Sequence, residues 1–219
     1  MWRLVRRAPV NTQPAQGTHE KRGEEMTIAD AITAYRKTSQ EPEPAPLIRI
    51  IQQIAGSVSP CSFKNDSYLD ALYITEVMLR DTSQSLAILT GGGDDFWEVL
   101  ECPLREALRR IVINGGSARI IVLNDDAPEV LSRLQESFPS LKVVVAEGSE
   151  ELQHFIICDE RTSRIEEVHP PLKTTTLASA IRAKVHFNEP DLARKFLIWF
   201  DALWKRAQQL SEEPATATA

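Results

Sequence analysis

The feature that most constrains this chain is a repeated alternation in its middle. Short apolar runs of strand length are separated by longer stretches with helical spacing. SLAILT (85–90) ends at Gly91, Gly92 and Gly93; ARIIVLN (118–124) follows Asn114-Gly115-Gly116; LKVVVAE (141–147) and HFIICD (154–159) come next. Runs of this length bounded by turn residues read as buried strands. Between them, SYLDALYITEVMLRDT (67–82) carries Leu69, Leu72, Tyr73 and Leu79 near one side. Leu104, Ala107, Leu108 and Ile111 recur at helical spacing after Pro103, which suits a first helical turn. Asp126 is read as the cap of a helix over 128–137 that carries Val130, Leu131 and Leu134.

After the fourth run the chain turns at Glu160–Ser163 into RIEEVH (164–169), and SAIRAKVHF (179–187) reads as a further strand. Asn188 is read as the cap of a last helix, 189–208, with Leu192, Phe196, Trp199, Phe200 and Leu203 on its buried face. Alternating units followed by consecutive strands imply a mixed β-sheet flanked by helices on both faces, an α/β sandwich. This domain is expected over 66–210.

In front of it lies a short helical extension, 27–60. Thr27 caps a helix over 27–38, and Leu47, Ile50, Ile51 and Ile54 mark a second helix after the stiff EPEPAP segment, ended by Gly56 and Pro60. It is too small for its own core, so residues 27–58 are expected to pack on the main domain or on a protein partner. Residues 1–26 and 211–219 read as disordered tails, and Met26 offers an alternative start.

Composition narrows the function classes. Lys and Arg number 25 against 31 Asp and Glu, a formal charge of −6, which argues against bulk nucleic-acid binding. Cys61, Cys102 and Cys158 are far apart, so neither a disulfide framework nor a zinc site is expected. The basic start has no apolar stretch behind it, and no run is long enough to cross a membrane. The expectation is a soluble cytoplasmic protein without cofactor or metal.

Three features carry chemistry. The glycines of LTGGGDDFW stand between a strand and a helix, where bare backbone N–H groups attract anions. No dinucleotide or Walker pattern is completed, and Asp94 and Asp95 would repel a phosphate, which leaves a strand-end turn as the plain reading. The segment 152–171 gathers His154, Asp159, Arg161, Arg164, Glu166, Glu167 and His169 around one hairpin. Period two places His154, Ile156 and Cys158 on one face, and Arg164 and Glu166 on a shared face of the next strand, where an ion pair or a cross-strand pair is the plain account. Finally, Arg182, Lys184 and His186 alternate with apolar residues, a basic strand face able to take phosphate or carboxylate, or to lie in solvent.

The leading helix, SLAILT with its glycines, ARIIVLN, LKVVVAE and the strand ending in Asp159 together resemble one unit of the phospholipase D-like superfamily, over about 67–208. That resemblance implies a catalytic His-x-Lys-x4-Asp signature. Aligned on Asp159, its His position falls on Leu152 and its Lys position on His154. Aligned on His154, the Lys and Asp positions fall on Ile156 and Arg161. Leucine cannot attack phosphorus and isoleucine cannot steady an oxyanion.

The expected function is therefore a non-catalytic phospholipase D-like binding or assembly module, recognising a phosphate-bearing ligand or a protein partner. Its ligand-binding residues would be His154, Arg164, Arg182, Lys184 and His186. The resemblance further implies a homodimer, with nucleic acid or a phospholipid headgroup as ligand classes. The alternative is a divergent phosphodiesterase or nuclease using His154 or His169, which a spatial cluster of these histidines with the cations would favour. A third reading, a Rossmann-like nucleotide site at Gly91–Gly93, needs an open crevice there, not one blocked by Asp94, Asp95 or Trp97.

Overall fold

The computed structural model describes residues 26–41, 43, 45–91, 94–123, 127–146, 152–169 and 172–212. The expected disordered tails thus fall almost wholly outside the described residues, as do Gly92, Gly93, Asp126, Pro170 and Pro171.

The strands are β1 (Cys61–Asn65), β2 (Ser85–Thr90), β3 (Ser117–Val122), β4 (Leu141–Val145), β5 (Phe155–Cys158), β6 (Thr162–Glu166) and β7 (Ala183–Phe187). They form one sheet in the order β1-β7-β6-β5-β2-β3-β4. β2, β3 and β4 run parallel, whereas β5, β6, β7 and β1 join by antiparallel pairings. Following these directions, β1, β2, β3, β4 and β6 all end on the same rim. This is the mixed sheet with helices on both faces that the sequence predicts.

Helices α1 (Ile28–Thr38), α2 (Pro46–Ala55), α3 (Tyr68–Asp81), α4 (Asp94–Val99), α5 (Glu101–Ile113) and α6 (Glu129–Ser137) lie over one face, and α7 (Pro190–Glu212) over the other. Capping sets two of the starts. Thr27 and Asp30 form a reciprocal box at α1, and the Ser67 hydroxyl accepts from the Asp70 N–H at 3.1 Å. On the first face Ile88, Ile120, Ile156 and Val185 meet α3 and α5; on the second Leu89, Ile121, Phe155 and Ile157 meet Phe200 and Trp204.

Several local expectations are corrected. α3 is buried almost all round, not along one stripe, because α1 and α2 cover the side facing away from the sheet. Tyr35 donates to the Glu76 carboxylate at 2.7 Å across that contact. On α2 the buried positions are Ile48, Ile51 and Ala55, while Ile50 is 54% exposed, since the face that meets α3 is rotated from the predicted one. The apolar faces of α1 and α2 thus join the main core, and β1 at 61–65 forms the edge of the same sheet.

The last strand is shorter than 179–187. Ala178–Ala180 is a 3-10 turn, because Ala178 N–H bonds to Met26 in the main-chain pairing that docks the start of α1. Asn188 does not cap α7: it is left-handed, and its amide reaches the Ser57 and Ser59 carbonyls, tying down the loop before β1.

Candidate functional site

The rim where β1, β2 and β6 end carries a polar cluster on the α1–α6 face. Period two on β6 puts Arg164 and Glu166 on the side of Ile156 and Val185, their neighbours' core-facing residues. Arg164 is 1% exposed. Its Nε donates to Asn65 Oδ1 at 2.9 Å, Nη1 pairs with Glu166 Oε1, and Nη2 is buried with no partner among the described residues. A guanidinium this deep requires a carboxylate beside it.

Glu166 is the hub. Its Oε2 meets His154 Nδ1 at 3.2 Å and His169 Nε2 at 3.0 Å. The two imidazoles stand edge to face, 5.2 Å between centroids. His154 precedes β5 and reaches this point because Glu166 N–H bonds to the His154 carbonyl at 2.9 Å. His169 enters from the loop after β6. Burial alone would raise the Glu166 carboxyl; the Arg164 charge, and then the bonds from both histidines, outweigh it and hold the group well below the ordinary carboxylate range.

Two neighbours shape the cluster. A Cβ on Gly91 would stand 2.8 Å from His154 Cε1, so a glycine at the end of β2 is what lets the imidazole lie flat there. Tyr68 opens α3 nearby; burial first, then the charges of Asp95 and Glu166, push its hydroxyl pKa up, so it stays protonated as a donor.

The sequence-predicted ligand set is thus divided. His154, Arg164 and the alternative residue His169 converge. Lys184 and His186 do not join them: their cross-strand partners are Ile165 and Ser163, which face α7. Lys184 is exposed, and His186 Nδ1 pairs with Glu189 at 3.1 Å. Arg182 precedes β7, is exposed, and its carbonyl accepts from the Glu167 N–H. The three do alternate as read, but their strand crosses the cluster with its apolar side.

Asp159 lies at the opposite end of the hairpin, about 17 Å away along five extended residues. Asp159 and Glu160 both have positive φ, the geometry of a tight hairpin turn. The Asp159 carboxylate accepts N–H bonds from Ser83, Gln84 and Ser85 at 2.7–3.2 Å and so fastens the turn to the start of β2. Cys158 beside it is inert, its thiol pushed up to about 12 by burial. At Gly91, Trp97 is buried and donates to Thr90 Oγ1 at 3.3 Å, and the His154 ring covers the glycine; both count against an open nucleotide crevice.

Sequence reading missed Glu166 as the centre, along with Asn65 and Tyr68. The signal for part of it was present: Arg164-x-Glu166-x-x-His169 places a cation, a carboxylate and an imidazole on one strand end and the loop that follows it.

No family model matches the sequence, and no curated protein does. Solved structures do. TrmBL2, described as an archaeal chromatin protein with a novel mode of DNA binding, superposes with TM-score 0.50 at 16% identity, over 82% of this chain and 64% of its own. This chain therefore spans under two thirds of TrmBL2. NucT from Helicobacter pylori gives TM-score 0.51 at 12% identity, over 67% of this chain and 96% of its own. Nuc, a phospholipase D family member from Salmonella typhimurium, gives 0.49 at 16% identity, over 67% and 95%. At such identities the likeness is one of fold: the sheet and its helices form a mixed α/β sandwich like those of TrmBL2 and NucT. No described helix is long and apolar enough to cross a membrane.

Proposed function

We propose that this chain is a phospholipase D-like binding module whose ligand seat is the rim around Glu166, and that the seat takes a phosphate group. The observation that carries this reading is the convergence of Arg164, His154 and His169 on one carboxylate where several strands end. That edge of an open α/β sheet is where ligands collect. The buried, unpartnered Nη2 of Arg164 supports it, since an unmet guanidinium donor favours an arriving acceptor oxygen. The lack of any lysine in the cluster, among the described residues, favours binding over cleavage. The resemblance to single-unit relatives brings with it a homodimer, which light scattering coupled to sizing tests as twice the chain mass.

A second reading rests on the His154–Glu166 pair. An imidazole that gives Nδ1–H to a carboxylate has Nε2 as its reactive nitrogen, the arrangement of an activated histidine. One experiment separates the two. The full chain, freed of metal with a chelator, is titrated with inorganic phosphate while imidazole signals are followed by NMR, and is then incubated with bis(p-nitrophenyl) phosphate. Binding is expected to move the His154 and His169 signals and to release no nitrophenol. An unmoved cluster overturns the seat; release that vanishes in His154→Ala makes the chain a phosphodiesterase.

A further inference from the structure

We propose that His154, Glu166 and His169 form a three-ligand site for a divalent transition-metal ion of the zinc type. The inference deepens the ligand reading and rests on it for the location of the seat.

The ligand atoms His154 Nδ1, Glu166 Oε2 and His169 Nε2 all lie within 4.8 Å of one another. Metal–ligand bonds of about 2.0–2.1 Å in a tetrahedron set neighbouring ligand atoms about 3.3–3.4 Å apart. The two nitrogen–oxygen separations here are 3.2 and 3.0 Å, so ring rotation of fractions of an ångström suffices on those two edges. Two imidazoles and one carboxylate are a donor set suited to zinc and its neighbours.

The surroundings fit a metal as well. Arg164 already supplies Glu166 with a full countercharge, through the other oxygen, Oε1. Two imidazole nitrogens share Oε2, and both are atoms that can also ligate a metal. A cation among the three groups accounts for their convergence, with Arg164 orienting the carboxylate from behind as supporting partners of metal ligands do. Gly91 leaves room for the His154 ring in that pose.

The proton count closes. A neutral imidazole bound through the nitrogen now facing Glu166 moves its N–H to the other ring nitrogen; a protonated one releases a single proton. Three protein ligands leave a fourth position for water or for a ligand oxygen.

The test uses the full chain, chelator-treated and in phosphate-free buffer, titrated with Co2+ and then Zn2+. One equivalent of Co2+ is expected to give a visible absorption band that Zn2+ displaces. His154→Ala and His169→Ala are each expected to weaken binding by more than about 100-fold, beyond what supporting residues cost. Because a substitution can disturb the fold, the wild-type chain is also followed by nitrogen NMR of its four histidines. Zn2+ is expected to shift His154 and His169 and to leave His186 in place. No stoichiometric binding, binding retained in both variants, or shifts confined to other residues overturns the proposal. Phosphate binding to the metal-free chain is read separately, so either idea can fail alone.

Discussion

At the scale of single residues, the site is governed by a buried charge and its partners. Arg164 sits where water does not reach, and Glu166 is the carboxylate that makes its charge tolerable. Removing one member of a buried pair strands the other, at about 3–5 kcal/mol. Glu166→Gln is therefore expected to lower the urea unfolding free energy at pH 7 by about that amount; an unchanged midpoint would contradict the pairing. The pH dependence follows from the sign of the shift. The folded carboxyl lies below its ordinary value of 4.5, so its stabilisation is complete above that value and is lost as pH falls through the folded one. In chelator buffer the wild-type chain is expected to lose urea resistance on acidification below about pH 4.5, with a component that Glu166→Gln lacks.

Between elements, the β2–β3 unit depends on a close approach that no side chain could occupy. A Cβ on Gly116 would lie 1.8 Å from the Gln84 carbonyl oxygen, a main-chain atom that cannot swing aside. Gly116→Ala must push the starts of β2 and β3 apart, where Ser85 pairs with Ser117. It is expected to destabilise the chain by about 1–3 kcal/mol, read as a lower thermal midpoint, whereas Gly115→Ala acts through its left-handed φ of 69° in open space. The Asn114-Gly115-Gly116 sequence announced a helix stop. It did not announce that the second glycine faces the main chain of Gln84, just before β2.

For the molecule as a whole, the layer formed by α1 and α2 belongs to the core. Ile28, Ile32, Ile48 and Ile51 are buried against α3, each contributing about 1.5–3 kcal/mol. Their sum rivals the whole stability of a typical domain, about 5–15 kcal/mol. A chain beginning after residue 58 is expected to lose its cooperative thermal transition and to bind a hydrophobic dye; a sharp transition in circular dichroism would mean that the layer is dispensable. The same layer explains why α3 departs from an amphipathic stripe. A helix between a sheet and two further helices is apolar on both sides, and periodicity within 67–82 alone cannot tell which neighbours will cover it.

What the sequence determined by itself is local and periodic: the apolar runs that become strands, the helices between them, the turn at Gly115, a hairpin turn expected at Glu160–Ser163 that the structure sets earlier, at Asp159 and Glu160, and the facing of Arg164 with Glu166. Each depends on residues within a few positions, where backbone geometry fixes which side chains share a face. Tertiary structure decided everything that joins distant segments. It carried β1 to the edge beside β7, laid α1 and α2 over α3, turned Lys184 and His186 toward the far face, and brought His154 and His169 onto one oxygen of Glu166. Those placements follow from strand order and helix packing, which depend on how the whole chain buries its apolar surface, and no short window of residues contains that information.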